Sequence, residues 1–219
     1  MRTSTLDADL VGYGGGPSGA APERSPQKIF VGSLLVVIGM LFMLITVAYL
    51  GRSQFEDWRA LADAAEPLSN PWRLWINTGL LALGSVALHA ARLAQTRGRA
   101  DAMRLGLAAA AVFSVAFLAG QLTVWNELVA GGHLVDRNPA NSFFYLITGL
   151  HGAHLAIGLL VLAIVGLHAW RRAPLGHGLG LQLCTWYWDF LFVLWLAMFA
   201  LVASSGESLD AFAALCGMR

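Results

Sequence analysis

The sequence is short of charged residues. Only 12% of its 219 residues are Asp, Glu, Lys or Arg, whereas 57% are hydrophobic, and a soluble domain usually carries about 25% charged residues. The 14 Lys and Arg residues nearly balance the 13 Asp and Glu residues, and no basic run alternates with aromatic residues as a nucleic-acid site requires. We therefore expect a membrane protein and exclude nucleic acid as a partner.

Cysteine is also scarce, since the chain contains only Cys184 and Cys216. A whole predicted membrane span separates them, which puts them at different depths and excludes a disulfide or a CxxC redox or zinc pair. Enzyme motifs are missing as well, because the sequence holds no Walker loop, no nucleophile elbow and no GxGxxG unit. No catalytic residue and no metal or cofactor ligand is predicted in this chain.

The first 28 residues are rich in glycine and contain Pro17, Pro22 and Pro26. Such a composition cannot bury a core, so it predicts a flexible N-terminal tail over 1–28. A secretory signal peptide would place its apolar stretch within roughly the first 15 to 30 residues, whereas the first apolar run here begins only at Ile29. We interpret that run as a retained membrane span.

Long uncharged apolar runs occupy most of the remaining chain. About 20 apolar residues, at ~1.5 Å each, cross a hydrocarbon core of ~30 Å, and they must form helices because lipid offers no hydrogen bonds to the backbone. The sequence predicts an all-α transmembrane bundle over 29–205 and a short outer C-terminal tail over 206–219. The five predicted spans are 30–50, 74–91, 105–124, 142–167 and 180–204.

The distribution of Lys and Arg predicts the orientation, because translocation of cationic segments is disfavoured. With the N-terminus inside, nine Lys and Arg residues lie in inner segments and five lie in outer ones. The clearest asymmetry is the loop from Arg92 to Arg104, which holds four arginines and one acidic residue. We expect the N-terminus inside and the C-terminus outside.

Two histidines stand out in the fourth span, because polar side chains at membrane depth are costly. His151 and His154 lie three residues apart and are predicted to share one helix face, while Gly149, Gly152 and Ala156 form a strip of small residues that lets another helix approach. A metal site would need further ligands, and none lies beside the two histidines in the sequence. We interpret them as interhelical hydrogen-bonding residues.

Asp189 is the only charged residue deep within a predicted span. Counting ~1.5 Å per residue from Gly180 puts it about 13 Å from the inner end, and counting along the fourth span brings His151 and His154 to a similar depth. We therefore predict that Asp189 is hydrogen-bonded or ion-paired to one of these histidines. A proton relay is the alternative role, although one carboxylate at one depth is not a path.

Histidines also allow a haem-binding alternative. His154 and His168 lie fourteen residues apart on nearly one face, as in helices that stack two haems, but the second span offers only His89 as a partner. At most one haem could lie between His89 and His168 near the inner surface. A membrane cytochrome built on this pair remains the alternative from a different functional class.

Several motifs, in order and at matching spacing over the last two thirds of the chain, resemble subunit III of the haem-copper respiratory oxidases. The specific part is the Thr-Gly-x-His-Gly-x-His pattern that begins at Thr148. The other matching positions are Asn77, Thr78, Gln121, Glu127, Trp186, Tyr187 and Trp188. The chain looks like the short five-helix form of that subunit, which lacks the first helix pair of the seven-helix form.

The resemblance implies a non-catalytic role. In that family, subunit III binds no haem or copper, packs against catalytic subunit I in a complex with subunit II, holds phospholipid, and supports proton uptake and stability. The complex reduces oxygen to water with electrons from cytochrome c or a quinol and pumps protons. We expect haem and copper in partner subunits and a location in the bacterial inner membrane. Because the first helix pair is missing, we expect any lipid cleft to be completed by a neighbouring chain.

The sequence departs from the family pattern in two places. After Trp-Tyr-Trp the family usually has His and, three residues on, Asp, whereas this chain has Asp189 and Phe192. The acidic residue that seven-helix members carry just before Asn-Thr is also missing, since Trp72 and Arg73 occupy that neighbourhood. The first change suggests a rewired polar contact between the fourth and fifth helices. The motifs fit an accessory subunit of a nitric oxide reductase equally well, and this remains the nearest alternative.

Overall fold

The computed structural model describes residues 26–63, 68, 71–136, 138–171 and 179–215. Six helices form within these residues: α1 Pro26–Arg52, α2 Trp72–Thr96, α3 Ala100–Ala130, α4 Pro139–Arg171, α5 Leu179–Val202 and α6 Gly206–Leu215. Most of the predicted N-terminal tail, together with Cys216, lies outside the described residues. The end of that predicted tail, from Pro26 to Lys28, is already the first turn of α1.

Helices α1 to α5 are each long and apolar enough to cross a membrane, which confirms the five spans expected from hydropathy. Most of them extend beyond the predicted limits; α3, for example, runs over 31 residues from Ala100 to Ala130. Hydropathy detects only the segment within the hydrocarbon, whereas backbone hydrogen bonding continues into the interfacial region, where polar side chains are tolerated. The chain is thus a multi-pass membrane protein.

Four of the long helices form a ring in which each packs on the next, in the order α2, α3, α4 and α5, with α5 closing on α2. The α2–α3 connection is short, and Gly98 makes its turn with a φ of 68°, a conformation that glycine adopts without steric cost. Gly106 lets α2 and α3 approach closely, since a Cβ atom at this position would lie 2.8 Å from the Cβ of Ala91.

Helix α1 lies outside this ring and packs on α4 and α5. Its buried residues are Ile38, Phe42, Tyr49 and Leu50, which lie from the middle of the helix to its end. The first half of α1 therefore leaves space between itself and the ring. An apolar cavity of about 310 Å³ occupies this space.

The bundle has two distinct ends. The arginine-rich end carries the α2–α3 connection with Arg97 and Arg99, and the opposite end carries the connection from α1 to α2. Which of the two ends faces the inside of the membrane remains a prediction.

The opposite end carries a helix that the sequence did not predict. Residues 206–219 were expected to be a short tail, but Gly206–Leu215 form α6. Asp63 accepts a hydrogen bond of 3.0 Å from the backbone N–H of Gly206, and a carboxylate at a helix N-terminus stabilises the unpaired N–H groups there. Tyr49 packs edge-on against Trp58 and Phe143 beneath the α1–α2 connection.

Candidate functional site

A polar cluster joins α2 to α5 at membrane depth. Ser85 and His89 lie one helical turn apart on α2, and both reach Asp189 on α5. The Ser85 hydroxyl donates to Oδ1 of Asp189 at 2.5 Å, and Nε2 of His89 lies 3.1 Å and 3.0 Å from the two carboxylate oxygens. The His89 and Asp189 side chains are 54% and 38% exposed, so the cluster lies on the outer surface of the ring.

The prediction that Asp189 pairs with His151 or His154 is wrong, because its partners are Ser85 and His89. Matching depth along two antiparallel helices does not determine the direction in which a side chain points around the helix axis. Successive residues of an α-helix are rotated by about 100°. Asp189 therefore projects toward α2, although the residues just before it project toward α3 and α4.

The two residues before Asp189 demonstrate this rotation. The Tyr187 hydroxyl donates to the backbone carbonyl of His154 on α4 at 2.9 Å, and the Trp188 indole N–H donates to Ser114 on α3 at 3.0 Å. Trp186, in contrast, is 39% exposed and faces away from the ring interior. The second and third residues of the Trp-Tyr-Trp motif thus contact two helices of the ring, whereas its first tryptophan lies on the surface.

His151 is fully buried within the ring, and neither of its ring nitrogens has a hydrogen-bond partner in the described part of the chain. Its neighbours are aromatic: Phe117 lies edge-on at a centroid distance of 5.8 Å and Trp195 lies tilted at 5.3 Å. The interpretation of His151 as an interhelical hydrogen-bonding residue is therefore wrong. The imidazole of His151 packs as an aromatic core group between α3 and α5.

His154 points to a different neighbour. Its Nδ1 lies 2.8 Å from the carbonyl of Leu150 on the same helix, and its ring packs edge-on against Phe42 of α1 at 5.7 Å. A spacing of three residues leaves the two side chains about 60° apart around the helix. This offset lets His151 enter the interior of the helix ring while His154 meets α1. The two histidines do not form one site.

The other motif residues connect helices near the opposite end. Asn77 on α2 donates to Gln121 on α3 at 3.3 Å, and Thr78 accepts a hydrogen bond of 2.9 Å from the indole of Trp195 on α5. Glu127 on α3 forms an ion pair of 2.8 Å with Arg73 at the start of α2. Polar contacts of this kind stabilise helix association in lipid, where apolar surface alone gives no driving force.

Close packing on α4 depends on glycine. A Cβ atom at Gly149 would lie 3.2 Å from Trp125 of α3, and one at Gly152 would lie 3.6 Å from Leu118. Both glycines face side chains of α3, whereas Ala156 is exposed. The role of this strip in the close approach of another helix stays a prediction. The sequence reasoning missed Gly158, where α5 comes closest; a Cβ there would lie 2.7 Å from the Tyr187 ring.

Metal or haem binding would depend on which side chains lie near the histidines and on which of their ring nitrogens are free. Among the described residues there is no group of three His, Cys, Asp or Glu side chains that could hold a metal ion. For the haem alternative, Nε2 of His89 is hydrogen-bonded to Asp189, and His168 directs Nδ1 to the carbonyl of Ile164 at 2.9 Å. The structure thus gives His89 a carboxylate partner in place of an open coordination position.

The apolar cavity between α1 and the ring is built by this chain alone. Its lining includes Phe30 and Leu34 of α1, Ile157 and Val161 of α4, and Leu183 of α5. Helices α1, α4 and α5 thus enclose this cavity within one polypeptide, and the expectation that a lipid cleft is completed by a neighbouring chain stays a prediction.

The helix ring and its interhelical polar contacts define a multi-pass α-helical membrane protein. Residues 28–206 match the family described as cytochrome c oxidase subunit III, and the matched stretch spans all five long helices. The chain belongs to the cytochrome c oxidase subunit III family, and the resemblance seen in its motifs is confirmed.

Relatives from bacteria match over most of their length. The chain is 28% identical over 210 residues to cytochrome c oxidase subunit 3 of Synechocystis sp., covering 92% of this chain and 86% of the relative. It is 28% identical over 194 residues to the protein of the same name from Bacillus sp. (strain PS3), with 85% and 92% covered. Cytochrome bo(3) ubiquinol oxidase subunit 3 of Pseudomonas aeruginosa is 24% identical over 132 residues, with 60% and 63% covered.

Proposed function

We propose that this chain is the accessory, non-catalytic subunit III of a haem-copper terminal oxidase in an aerobic respiratory chain. The observation that carries the proposal is the family match over residues 28–206, together with motif residues that hold the ring together through Asn77–Gln121 and Thr78–Trp195 contacts. The catalytic subunit I, subunit II and their haem and copper are then supplied by other chains in the bacterial inner membrane.

The proposed contribution to the complex is structural support for proton uptake and for stability during turnover. Among the described residues, Asp189 meets one histidine and one serine at one depth. A series of titratable groups at successive depths would be expected of a relay. The chain acts on its catalytic partner by packing against it.

Bound phospholipid is the second part of the proposal. The cavity of about 310 Å³ between α1, α4 and α5 is lined almost entirely by apolar side chains, and an apolar space open to the bilayer is suited to an acyl chain, since burial of methylene groups is favourable. Lys28 lies in the first turn of α1, at the arginine-rich end of the bundle. A cationic side chain at this position attracts an anionic headgroup.

Affinity purification in mild detergent tests this function. A tag on the N-terminal tail retrieves the chain, and peptide identification reports what is bound to it. We expect a haem-copper catalytic subunit in the eluate, with oxygen consumption supported by cytochrome c or by a quinol; the two donors are assayed separately because the relatives carry both names. Recovery of the chain with a nitric oxide reductase, or with no haem-copper subunit, would contradict the proposal.

A further inference from the structure

The cluster of Ser85, His89 and Asp189 stands on the outside of the ring at a depth where lipid chains would surround it. His89 lies seven residues from the end of α2 at Thr96, and Asp189 lies ten residues from the start of α5 at Leu179. These counts correspond to roughly 10 Å and 15 Å along the helices. Acyl chains at that depth can neither donate nor accept a hydrogen bond, so this exposed pair is costly in contact with lipid.

The cluster also retains unused hydrogen-bonding capacity. Within the described residues, Asp189 accepts a hydrogen bond from Ser85 and is hydrogen-bonded to His89. His154 and His168 on α4 direct Nδ1 to a carbonyl of their own helix, whereas the bonds formed by His89 all involve Nε2. A neighbour with a polar side chain would therefore find Nδ1 of His89 and the carboxylate of Asp189 accessible from outside the ring.

The surrounding surface has the shape of a groove for one helix. Helix α5 contacts both α1 and α2 and so forms the floor between them. Its outward side chains recur at the three-and-four spacing of a helix-packing seam, namely Trp186, Asp189, Val193 and Leu196. On the α1 side of this groove, an open space of about 700 Å³ is lined by Trp186 and by residues of α1.

The outward face of α4 provides a contrast within the same chain. Its exposed side chains include Ile157, Leu160, Ile164 and Leu167, all of them apolar, and this surface is complementary to acyl chains. The groove on α5 instead combines comparable apolar residues, such as Val86 of α2 and Val193 of α5, with the exposed His89–Asp189 pair well inside the spans. The other exposed pairs that the described spans hold, Arg73–Glu127 and Asp101–Arg104, lie near helix ends.

We propose that a transmembrane helix of the catalytic subunit occupies the groove bounded by α1, α5 and α2, and that a neutral hydroxyl or amide side chain on that helix hydrogen-bonds to His89 and Asp189. The proposal rests on the proposed function and specifies its contact surface. A neutral partner fits because the cluster already pairs one histidine with one carboxylate. A charged side chain on the partner helix would have no counter-ion in lipid.

Site-specific photo-crosslinking in native membranes tests the surface. A benzophenone amino acid replaces Val86 or Val193 in the groove, and replaces Leu160 or Ile164 on α4 as matched controls; all four side chains are more than half exposed. We expect adducts with the catalytic subunit from the two groove positions and lipid adducts alone from the two α4 positions. Adducts with the catalytic subunit from α4 alone, or groove adducts with lipid or a second copy of this chain alone, would overturn the inference.

A second measurement tests the polar contact. We expect Asp189→Leu to lower the yield of co-purified catalytic subunit roughly threefold to tenfold, the factor that corresponds to the loss of one interhelical hydrogen bond in a membrane, and Leu160→Ala to leave the yield unchanged. An unchanged yield with Asp189→Leu would overturn the contact. If the wild-type chain retrieves no catalytic subunit, the proposed function itself fails. If the wild-type chain retrieves the catalytic subunit but the two groove positions give no crosslinks to it, this inference alone fails.

Discussion

Nε2 of His89 lies 3.0 Å from a carboxylate oxygen of Asp189, and this contact joins the second and fifth long helices of the bundle. Ser85 completes the arrangement from one turn away on α2. The contact differs from the pairing with the fourth helix that the sequence suggested, and the difference can be measured.

A double-mutant cycle separates the two pairings. Replacing His89 and Asp189 by alanine, singly and together, is expected to give a coupling energy of about 0.6–1.7 kcal/mol, the range of interhelical hydrogen bonds in membrane proteins. The matched cycle of His154 and Asp189 is expected to give a coupling near zero, because His154 contacts Phe42 and its own helix. Thermal unfolding in detergent gives both values. A larger coupling for the second cycle would contradict the arrangement.

A second prediction concerns His151. Its buried nitrogens lack partners among the described residues, and a buried polar group without a hydrogen bond costs free energy. His151→Phe keeps an aromatic ring between Phe117 and Trp195 and removes that cost, so we expect a melting temperature at least equal to that of the wild type. His151→Ala should lower stability by about 3–5 kcal/mol, as for loss of a large core side chain. A strongly destabilised phenylalanine variant would show that the nitrogens are needed.

The third prediction compares two glycines of α4. Gly158→Ala places a methyl group 2.7 Å from the Tyr187 ring and 3.1 Å from Trp188, and such overpacking costs about 1–3 kcal/mol. Gly152→Ala serves as its control, since the nearest atom, on Leu118, lies at an ordinary contact distance of 3.6 Å. The melting temperature of Gly158→Ala should therefore be lower than that of Gly152→Ala. A lower melting temperature for Gly152→Ala would contradict the close approach of α5 to Gly158.

The connection between α1 and α2 gives a prediction on pH. Arg52 donates hydrogen bonds of 2.7 Å and 2.5 Å to Asp57, and this contact lowers the pKa of the Asp57 carboxyl below its ordinary value. A carboxyl with a lowered pKa stabilises the folded state above its unfolded pKa of ~4, and the contribution is lost as the pH falls further.

The melting temperature of the wild type should therefore exceed that of Asp57→Asn slightly at neutral pH, and the two should converge below about pH 4. Glu56→Gln controls for the loss of a carboxylate from the same connection. A difference between wild type and Asp57→Asn that persists unchanged into acid would show that the ion pair does not contribute.

Five spans could be predicted from the sequence because burial in lipid imposes a length and a composition on each helix, and these are local properties. The expected role of Gly149 and Gly152 in helix packing stays a prediction, although both face side chains of α3. Helix α6 was missed because its position depends on Asp63, far away in the chain.

The partner of Asp189 could not be predicted for a different reason. Counting residues gives the depth of a side chain, but the neighbour it meets depends on the order of helices around the ring and on the rotation of each helix. His89 was already visible in the sequence at a suitable depth, and Ser85 lies one turn before it. Choosing between α2 and α4 required the packing of Trp188 into the ring interior, which turns Asp189 toward α2.

The central claim, that this chain is a non-catalytic member of its complex, is tested most directly by the haem content of the complex with and without it. The purified oxidase is stripped of this chain in detergent, and reduced-minus-oxidised spectra are recorded per catalytic subunit before and after. We expect the same haem content in both preparations and no haem absorbance in the isolated chain. Loss of haem in proportion to the removed chain, or a Soret band in the isolated chain that disappears with His89→Ala, would contradict the account.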